Sequence, residues 1–490
     1  MNDAFRVGLV NRWEQCDPRR SKNFANLLVQ WHLYEPALRA SEHLGQLDSV
    51  LLDGPLQAEG SEDGSAVYSA RVKPGVCFSD GTDVTPAHIA ASLDRTPSFM
   101  THASARARGD RLFFKVRRPN ARFEMVLSRH EHAIVLERDG QFLGTGPYVI
   151  APDSQPDRLR LIPNPYYKGT VRLQEIECVI YPLDSGGTRR KLLEAVDRGI
   201  VDLTDELPRD DLNRVNRMRK CIDLGYCTAI LFFNTERQIF LNSLVRRACA
   251  SALDRKALAA HSYSNALAFT ATGLLPPSLG IATPDNIVHD LEHARQCLAQ
   301  SGVRPPAAPL IMSVVPVPRP HLPDPLATAE MIAAQLGKLG FSLVIRQSRT
   351  MEDFFDLTGR GQYDLALSGW IPGTSDPLDY MESMLASHSV PASGQGVRRG
   401  SNLSRWNNPD ADQAIDKERI KPDPANWNQL RTLLQTEVPL LPLMYGPRSL
   451  VVTWRAKNFP RNFSHRPFLA ELELEPRNTL VAATPDQFTA

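Results

Sequence analysis

The sequence predicts an α/β protein built from more than one lobe, and three observations carry that expectation. The first is length: 490 residues exceed what one hydrophobic core organises, so two or three lobes with separate cores are expected. The second is order. Leu310 to Val315, Ala327 to Leu339 and Phe341 to Ile345 read as strand, amphipathic helix and strand, a βαβ unit that implies a parallel sheet. The third is the stretch Tyr68 to Ile89, a strand, two tight turns and a helix start. Pro74-Gly75 and Asp80-Gly81 set the turns, because proline fixes φ and glycine accepts a positive one. Thr85 before Pro86 marks a helix N-terminus, where a hydroxyl caps free amides and proline suits the first helical position.

Composition narrows the partners. With 56 basic and 55 acidic residues the formal charge is +1, which gives no electrostatic footprint for nucleic acid or an anionic surface, so no nucleic-acid partner is expected. Hydrophobic content is 42%, and no apolar run approaches the roughly 18 residues of a membrane span, so no direct membrane insertion is expected. The seven cysteines are scattered and odd in number, unlike a disulfide framework. The stretch Met1 to Val10 shows no basic region followed by a long apolar one. Both features predict a cytoplasmic location.

Along the chain, Phe5 to Val10 reads as a buried strand and Asn23 to Leu38 as a helix, with Phe24, Leu27, Leu28, Trp31 and Tyr34 at helical spacing. Residues 39–147 read as strands, including Arg111 to Val116, around the helix that starts at Thr85. Gly144-Thr145-Gly146-Pro147-Tyr148 is a turn, and it lacks the Lys-Ser/Thr and helix that a phosphate loop requires. Strands follow at Leu159 to Ile162 and Ile176 to Tyr181, then a helix from Thr188 to Arg198 that Gly199-Ile200-Val201-Asp202 closes into a short strand. Ala229 to Phe233 is a strand ending in Asn234-Thr235. Tyr363 to Leu367 is another, delivering Ser368-Gly369-Trp370, and a helix starts near Pro409. The tail from Arg477 has no periodicity and is expected to be loose.

Several of these segments resemble one family. Pro74-Gly75-Val76-Cys77-Phe78-Ser79-Asp80-Gly81-Thr82 with its flanks is similar to the signature of the family 5 extracellular solute-binding proteins, the peptide-, dipeptide- and nickel-binding components of ABC importers. Gly144 to Tyr148, Asn164-Pro165-Tyr166-Tyr167-Lys168-Gly169, the run from Asn234 through Val245-Arg246-Arg247-Ala248 to Asp254-Arg255, and Pro439 to Leu443 are similar too. Tyr34-Glu35-Pro36-Ala37-Leu38 takes the place of a Tyr/Phe-Glu-Gly-Leu segment, with proline where the family usually has glycine.

The resemblance implies a periplasmic-binding-protein-like fold of type II, or cluster C, with two lobes, an inserted subdomain and a hinge. Residues 1–38, 148–236 and 450–476 would form lobe I, 39–147 its inserted subdomain, 237–449 lobe II and 477–490 a loose tail. It implies a non-enzymatic, monomeric protein that closes on a small peptide-like or other polar solute and hands it to ABC permease subunits, without cofactor or metal. By resemblance the location is extracytoplasmic. The alternatives are a cytoplasmic ligand sensor and a binding fold recruited to a biosynthetic pathway as enzyme or carrier.

The candidate ligand-binding residues are Trp370, Ile371, Pro372, Gly373, Thr374 and Asp376, in a loop at the C-terminal end of a strand, where open α/β sheets bind ligands. Trp370 offers a flat apolar face and one N–H donor. In peptide-binding members of the family an aspartate three residues after this tryptophan grips the ligand's α-ammonium, and Gly373 stands there instead. That implies a departure from ordinary oligopeptides and leaves metal chelates, amides, sugars or modified peptides open. Asp376, the nearby carboxylate, reads as a turn former. Tyr34, Phe99, His102 and Trp406 are the remaining candidates. No catalytic set is readable: His130-Glu131-His132 lacks the i, i+4 spacing of a zinc helix, and no Gly-x-Ser-x-Gly elbow is present.

Overall fold

The computed structural model describes residues 4–476 except 14–16, 20–23, 42–44, 185–187, 208, 213, 264–268, 283, 393–400 and 460–467. The tail from Arg477, expected to be loose, lies outside the described residues. The chain divides into two compact units, one of residues 1–222, 373–375 and 449–490, the other of residues 223–372 and 376–448.

In the first unit, β1 (Phe5–Leu9) is almost wholly buried and α1 (Phe24–Leu33) follows it. The helix expected to reach Leu38 stops at Leu33, and Leu38 opens a short strand instead. Pro36 explains this: it disfavours helical backbone in the residue before it, and the Glu35 carbonyl accepts from the Ile134 amide at 2.9 Å rather than from a following turn.

An antiparallel sheet comes next, made of β2 (Gln57–Glu62), β3 (Ser65–Arg71), β4 (Ala103–Arg108) and β5 (Arg111–Val116) in the order β2-β3-β5-β4. Against it packs α2 (Pro86–Leu93), which begins where the sequence places it. Thr85 Oγ1 accepts from the His88 amide at 3.3 Å and His88 Nδ1 accepts from the Thr85 amide at 3.3 Å, a reciprocal capping box. The turn glycines Gly75 and Gly81 have φ of 75° and 85°, as their turns demand. Phe78, Ile89, Leu93, Leu112 and Phe114 form the core beneath. His130 to His132 form a single 3₁₀ turn.

The chain then makes β6 (Tyr148–Ile150), β7 (Arg158–Pro163), β8 (Ile176–Ile180), α3 (Arg190–Asp197) and β9 (Leu203–Thr204). The short strand expected at Gly199 to Asp202 begins at Leu203, because Gly199 (φ 67°) is needed to turn the chain off the helix. β8 and β9 both run parallel to β1, with Phe5 opposite Ile176 and Val7 opposite Leu203.

The second unit takes over within β10 (Arg219–Phe233). Its helices α4 (Ser243–Ala252) and α5 (Arg255–Ser262) are capped by Asn242 and Asp254. After β11 (Phe269–Thr270), the βαβ unit is realised as β12 (Leu310–Val314), α6 (Pro325–Gly337) and β13 (Leu343–Gln347), with Leu310 opposite Leu343 in a parallel pair. β14 (Leu365–Trp370) runs parallel to β12 and antiparallel to β10, and α7 (Pro377–Leu385), α8 (Pro409–Ile420), α9 (Pro424–Glu437) and β15 (Leu440–Val452) complete the chain. β15 pairs with β11 through Tyr445 and, in the first unit, with β9 through Val452.

Arg246 on α4 is 2% exposed and holds this unit's loops by their carbonyls, donating to Phe240 O at 2.6 Å, Leu241 O at 3.0 Å and Glu437 O at 2.8 Å. The Val-Arg-Arg-Ala motif is therefore a bracket.

Candidate functional site

The first unit absorbs three sequence motifs into one buried carboxyl group. Gly144 and Gly146 lie so close to the end of α1 that a Cβ on Gly144 would run into Leu33 O and the Tyr34 ring, and one on Gly146 would stand 2.5 Å from His32 O. The turn thus delivers Thr145, whose hydroxyl donates to Glu35 Oε2 at 3.1 Å, while Tyr167 from the Asn-Pro-Tyr-Tyr segment reaches Glu35 Oε1 at 3.5 Å. Arg39 lies 3.8 Å from the same carboxylate. Burial pushes the Glu35 carboxyl up to about 7 against these partners, which all favour its charged form. Tyr34, beside it, is 5% exposed and donates to Phe142 O at 3.1 Å, so its ring serves the core of this unit.

Two other candidates in this unit are also placed by packing. Phe99 is fully buried, edge-on to Phe114 and to His132. His102 is half-buried, with Nε2 3.4 Å from Arg129 Nη1. In the second unit Trp406 is 4% exposed, and its backbone is tied to the Asn402 side chain through both its amide and its carbonyl.

That loop is built by β14. Leu365 to Ser368 are buried between β10 and β12, and the strand releases the chain at Trp370, opposite Thr228. The Trp370 ring is half-buried and stands edge-to-face with Tyr380 of α7, centroids 6.3 Å apart at 80°. Ile371 is half-buried and Pro372 buried. Asp376 is the N-cap of α7: its Oδ1 accepts from the Leu378 amide at 3.0 Å, and Pro377 takes the first helical position. Gly373 to Ser375 group with the first unit, where Ser375 Oγ meets Met125 Sδ at 3.6 Å. Thr374 is 4% exposed, whereas Gly373 is exposed and a Cβ there would touch nothing.

Sequence reasoning missed two polar residues beside this strand end, Arg319 and His321. They lie on a tight turn after β12, closed by Arg319 N donating to Leu322 O and Leu322 N to Arg319 O, both at 2.9 Å. Tyr263 Oη donates to Pro320 O at 2.7 Å and fixes the turn from α5's side. The imidazole of His321 presses on Gly369: a Cβ there would lie 2.5 Å from His321 Cδ2. Burial and the neighbouring Arg319 charge push this histidine down to about 3, so it is neutral across the physiological range. Burial also lowers the Arg319 guanidinium, which is half-buried and has no carboxylate partner among the described residues. The signal in the sequence was a loop at the C-terminal end of a parallel strand, Pro316 to Pro323, carrying one arginine and one histidine among prolines.

The sequence model of the bacterial extracellular solute-binding proteins, family 5 (middle region), matches residues 54–391. The chain belongs to this family. Family 5 consists of substrate-binding transport proteins. Among curated relatives, the chain is 24% identical over 335 residues to heme-binding protein A of Haemophilus influenzae, covering 66% of this chain and 58% of that protein. It is 25% identical over 361 residues to the peptide transport periplasmic protein SapA of Salmonella typhimurium, covering 67% and 62%. The match thus spans about three fifths of these relatives' length. Among solved structures, HbpA2 of Haemophilus parasuis superposes with a TM-score of 0.80 at 19% identity, covering 97% of this chain and 100% of that one. DppA of Helicobacter pylori, solved with the peptide STSA, gives 0.75 at 18%, covering 97% and 98%. The fold is that of the two-lobed, type II periplasmic binding proteins.

Proposed function

We propose that this family 5 protein is the solute-capturing component of an ABC-type importer, closing around a peptide-like or other small polar solute that bears an anionic group. The observation that carries the anionic group is Arg319. A half-buried guanidinium that burial disfavours is ordinarily paired with a carboxylate, and among the described residues Arg319 has none. Three carboxylates around β14 and α7 are engaged elsewhere: Asp364 with Arg237, Asp376 with the cap of α7, and Glu382 with Arg419 and His388. A carboxylate brought by the solute completes the pair, and the Trp370 face supplies an apolar wall.

In this reading the protein works outside the cytoplasmic membrane, as the names of its relatives support, and as a non-catalytic monomer that partners permease subunits. Residues 1–38, 148–236 and 450–476 act as one lobe, with 39–147 inserted, and 237–449 as the other. Solute shifts the population toward a closed state by binding it better than the open one.

Native mass spectrometry of the gently purified full-length protein, with the denatured mass alongside, tests the reading. The expected result is a small-molecule adduct that carries a carboxylate, is released on denaturation, and is lost in Arg319→Ala. Chemical turnover of the bound molecule, or an adduct retained undiminished by Arg319→Ala, overturns it.

A further inference from the structure

The guanidinium of Arg39, in the first unit, faces three partners and is within hydrogen-bond distance of none of them. It stands on a short hairpin that pairs Leu38–Ala40 with Leu47–Ser49, directly opposite Asp48. Its Nη1 lies 3.8 Å from Glu35 Oε1, its Nε 3.7 Å from Asp48 Oδ2, and its Cζ 4.2 Å from the centre of the Phe468 ring. Hydrogen bonds from such donors close at about 2.7–3.2 Å. Nη1 is buried, with no hydrogen-bond partner among the described residues. Arg246, more deeply enclosed, gives its protons to three carbonyls. Arg39 is poised where Arg246 is fixed.

Phe468 is 7% exposed, and its ring stacks on that of His32, centroids 6.0 Å apart at 8°. It opens a segment tied to the body of the unit by Leu469 N donating to His32 Nε2 at 2.9 Å and by Arg172 N donating to Ala470 O at 2.6 Å. The groups facing Glu35 are Arg39, Thr145, Tyr167 and, at longer range, Lys73; Asp48 and Tyr167 also face Arg39, and Glu471 faces Tyr167. Burial pushes His32 down to about 4 and raises the Tyr167 hydroxyl, so neither changes charge near neutrality. Glu35 does, because burial raises its carboxyl to about 7.

We propose that Glu35 and Arg39 form a proton-operated latch on the segment Phe468–Leu472: the protonated carboxyl leaves the guanidinium over the Phe468 ring, and the carboxylate draws it away. A neutral acid offers the cation only a weak dipole, so cation–π attraction keeps it on the ring. A carboxylate in the same buried place attracts it far more strongly, and closing the 3.8 Å gap also gives Nη1 the partner it lacks. Phe468 then loses the cation over its ring, and the segment opens more readily as pH rises through neutrality. The latch is independent of which solute the protein captures.

The test places a single 4-fluorophenylalanine at position 468 of the full-length protein and follows its fluorine resonance from pH 5.5 to pH 8.5. Wild type is expected to titrate with a midpoint near 7, whereas Glu35→Gln and Arg39→Met are expected to stay flat. A flat wild type overturns the proposal. Titration retained in Glu35→Gln assigns the proton to another group and overturns it as well. Titration retained in Arg39→Met means that the ring senses the field of the carboxylate and not a moving guanidinium, which also overturns it. That comparison stands even where Glu35→Gln fails to fold. Hydrogen exchange of the Leu469 amide supplies a second reading, taken between proteins at one pH so that the effect of Glu35 on overall stability is shared. At pH 6 wild type is expected to be protected about tenfold more than Arg39→Met, the size of one partly buried cation–π contact, and at pH 8 the two are expected to match. An equal ratio at both pH values overturns the latch.

Discussion

Replacing Glu35 by glutamine should remove a pH dependence of stability that the fold of the first unit builds in. The carboxyl is raised from its ordinary 4.5 to about 7, chiefly by burial, although Arg39, Thr145, Tyr167 and Lys73 all oppose the rise. A group whose folded pKa lies above its unfolded one binds more protons in the folded state between those values. Stability is therefore fully present below about 4.5 and is lost as pH rises through about 7. At about 1.4 kcal/mol per unit, the swing is on the order of 3 kcal/mol. Glutamine keeps an acceptor for the Thr145 hydroxyl and has no charge to bury. Urea unfolding of wild type and Glu35→Gln, followed by circular dichroism at pH 5 and pH 8, reads the effect. Glu206, also raised to about 7, and the lowered histidines His32, His132 and His321 contribute equally to both proteins, so the difference between them isolates Glu35. The mutant should gain on wild type by roughly 2–3 kcal/mol on going from pH 5 to pH 8. Identical pH slopes would refute the assignment of a buried, proton-holding carboxyl at this position.

Three further outcomes follow from the geometry. Gly144→Ala, whose Cβ would meet Leu33 O, should lower stability by about 1–3 kcal/mol in thermal melts, and a neutral result would mean the turn does not press on α1. Asp376→Ala removes the α7 cap and should lose about 1 kcal/mol, with Asp376→Asn close to wild type; equal losses would assign the aspartate a role beyond capping. Gly373→Asp faces open space without a positive φ, so stability should stay within about 0.5 kcal/mol, and calorimetry with dialanine should show tighter binding to the variant if the new carboxylate meets an ammonium. Weaker binding would place Gly373 against the solute's body.

What could be read from the sequence is what neighbouring residues settle among themselves. The capping box at Thr85, the glycine turns at Gly75 and Gly81, the helix starting at Pro409 and the parallel βαβ unit from Leu310 all depend on short-range sterics and periodicity, and all are present. The family motifs were legible too, but not their purpose. Thr145 and Tyr167 lie 110 and 132 residues from the carboxyl they serve, and nothing local says that Glu35 is where they meet. Tyr34, Phe99 and Trp406 have the residue types of ligand walls, and only packing shows each ring committed to a core. The strand end at Trp370 was predictable from topology. The slot for His321 was not, because it exists only where Gly369 and Gly446, on two different strands, both lack a side chain at the place where a third segment crosses. Backbone preferences act over a few residues, whereas burial and the pairing of charges are properties of the space between segments that the finished fold alone brings together.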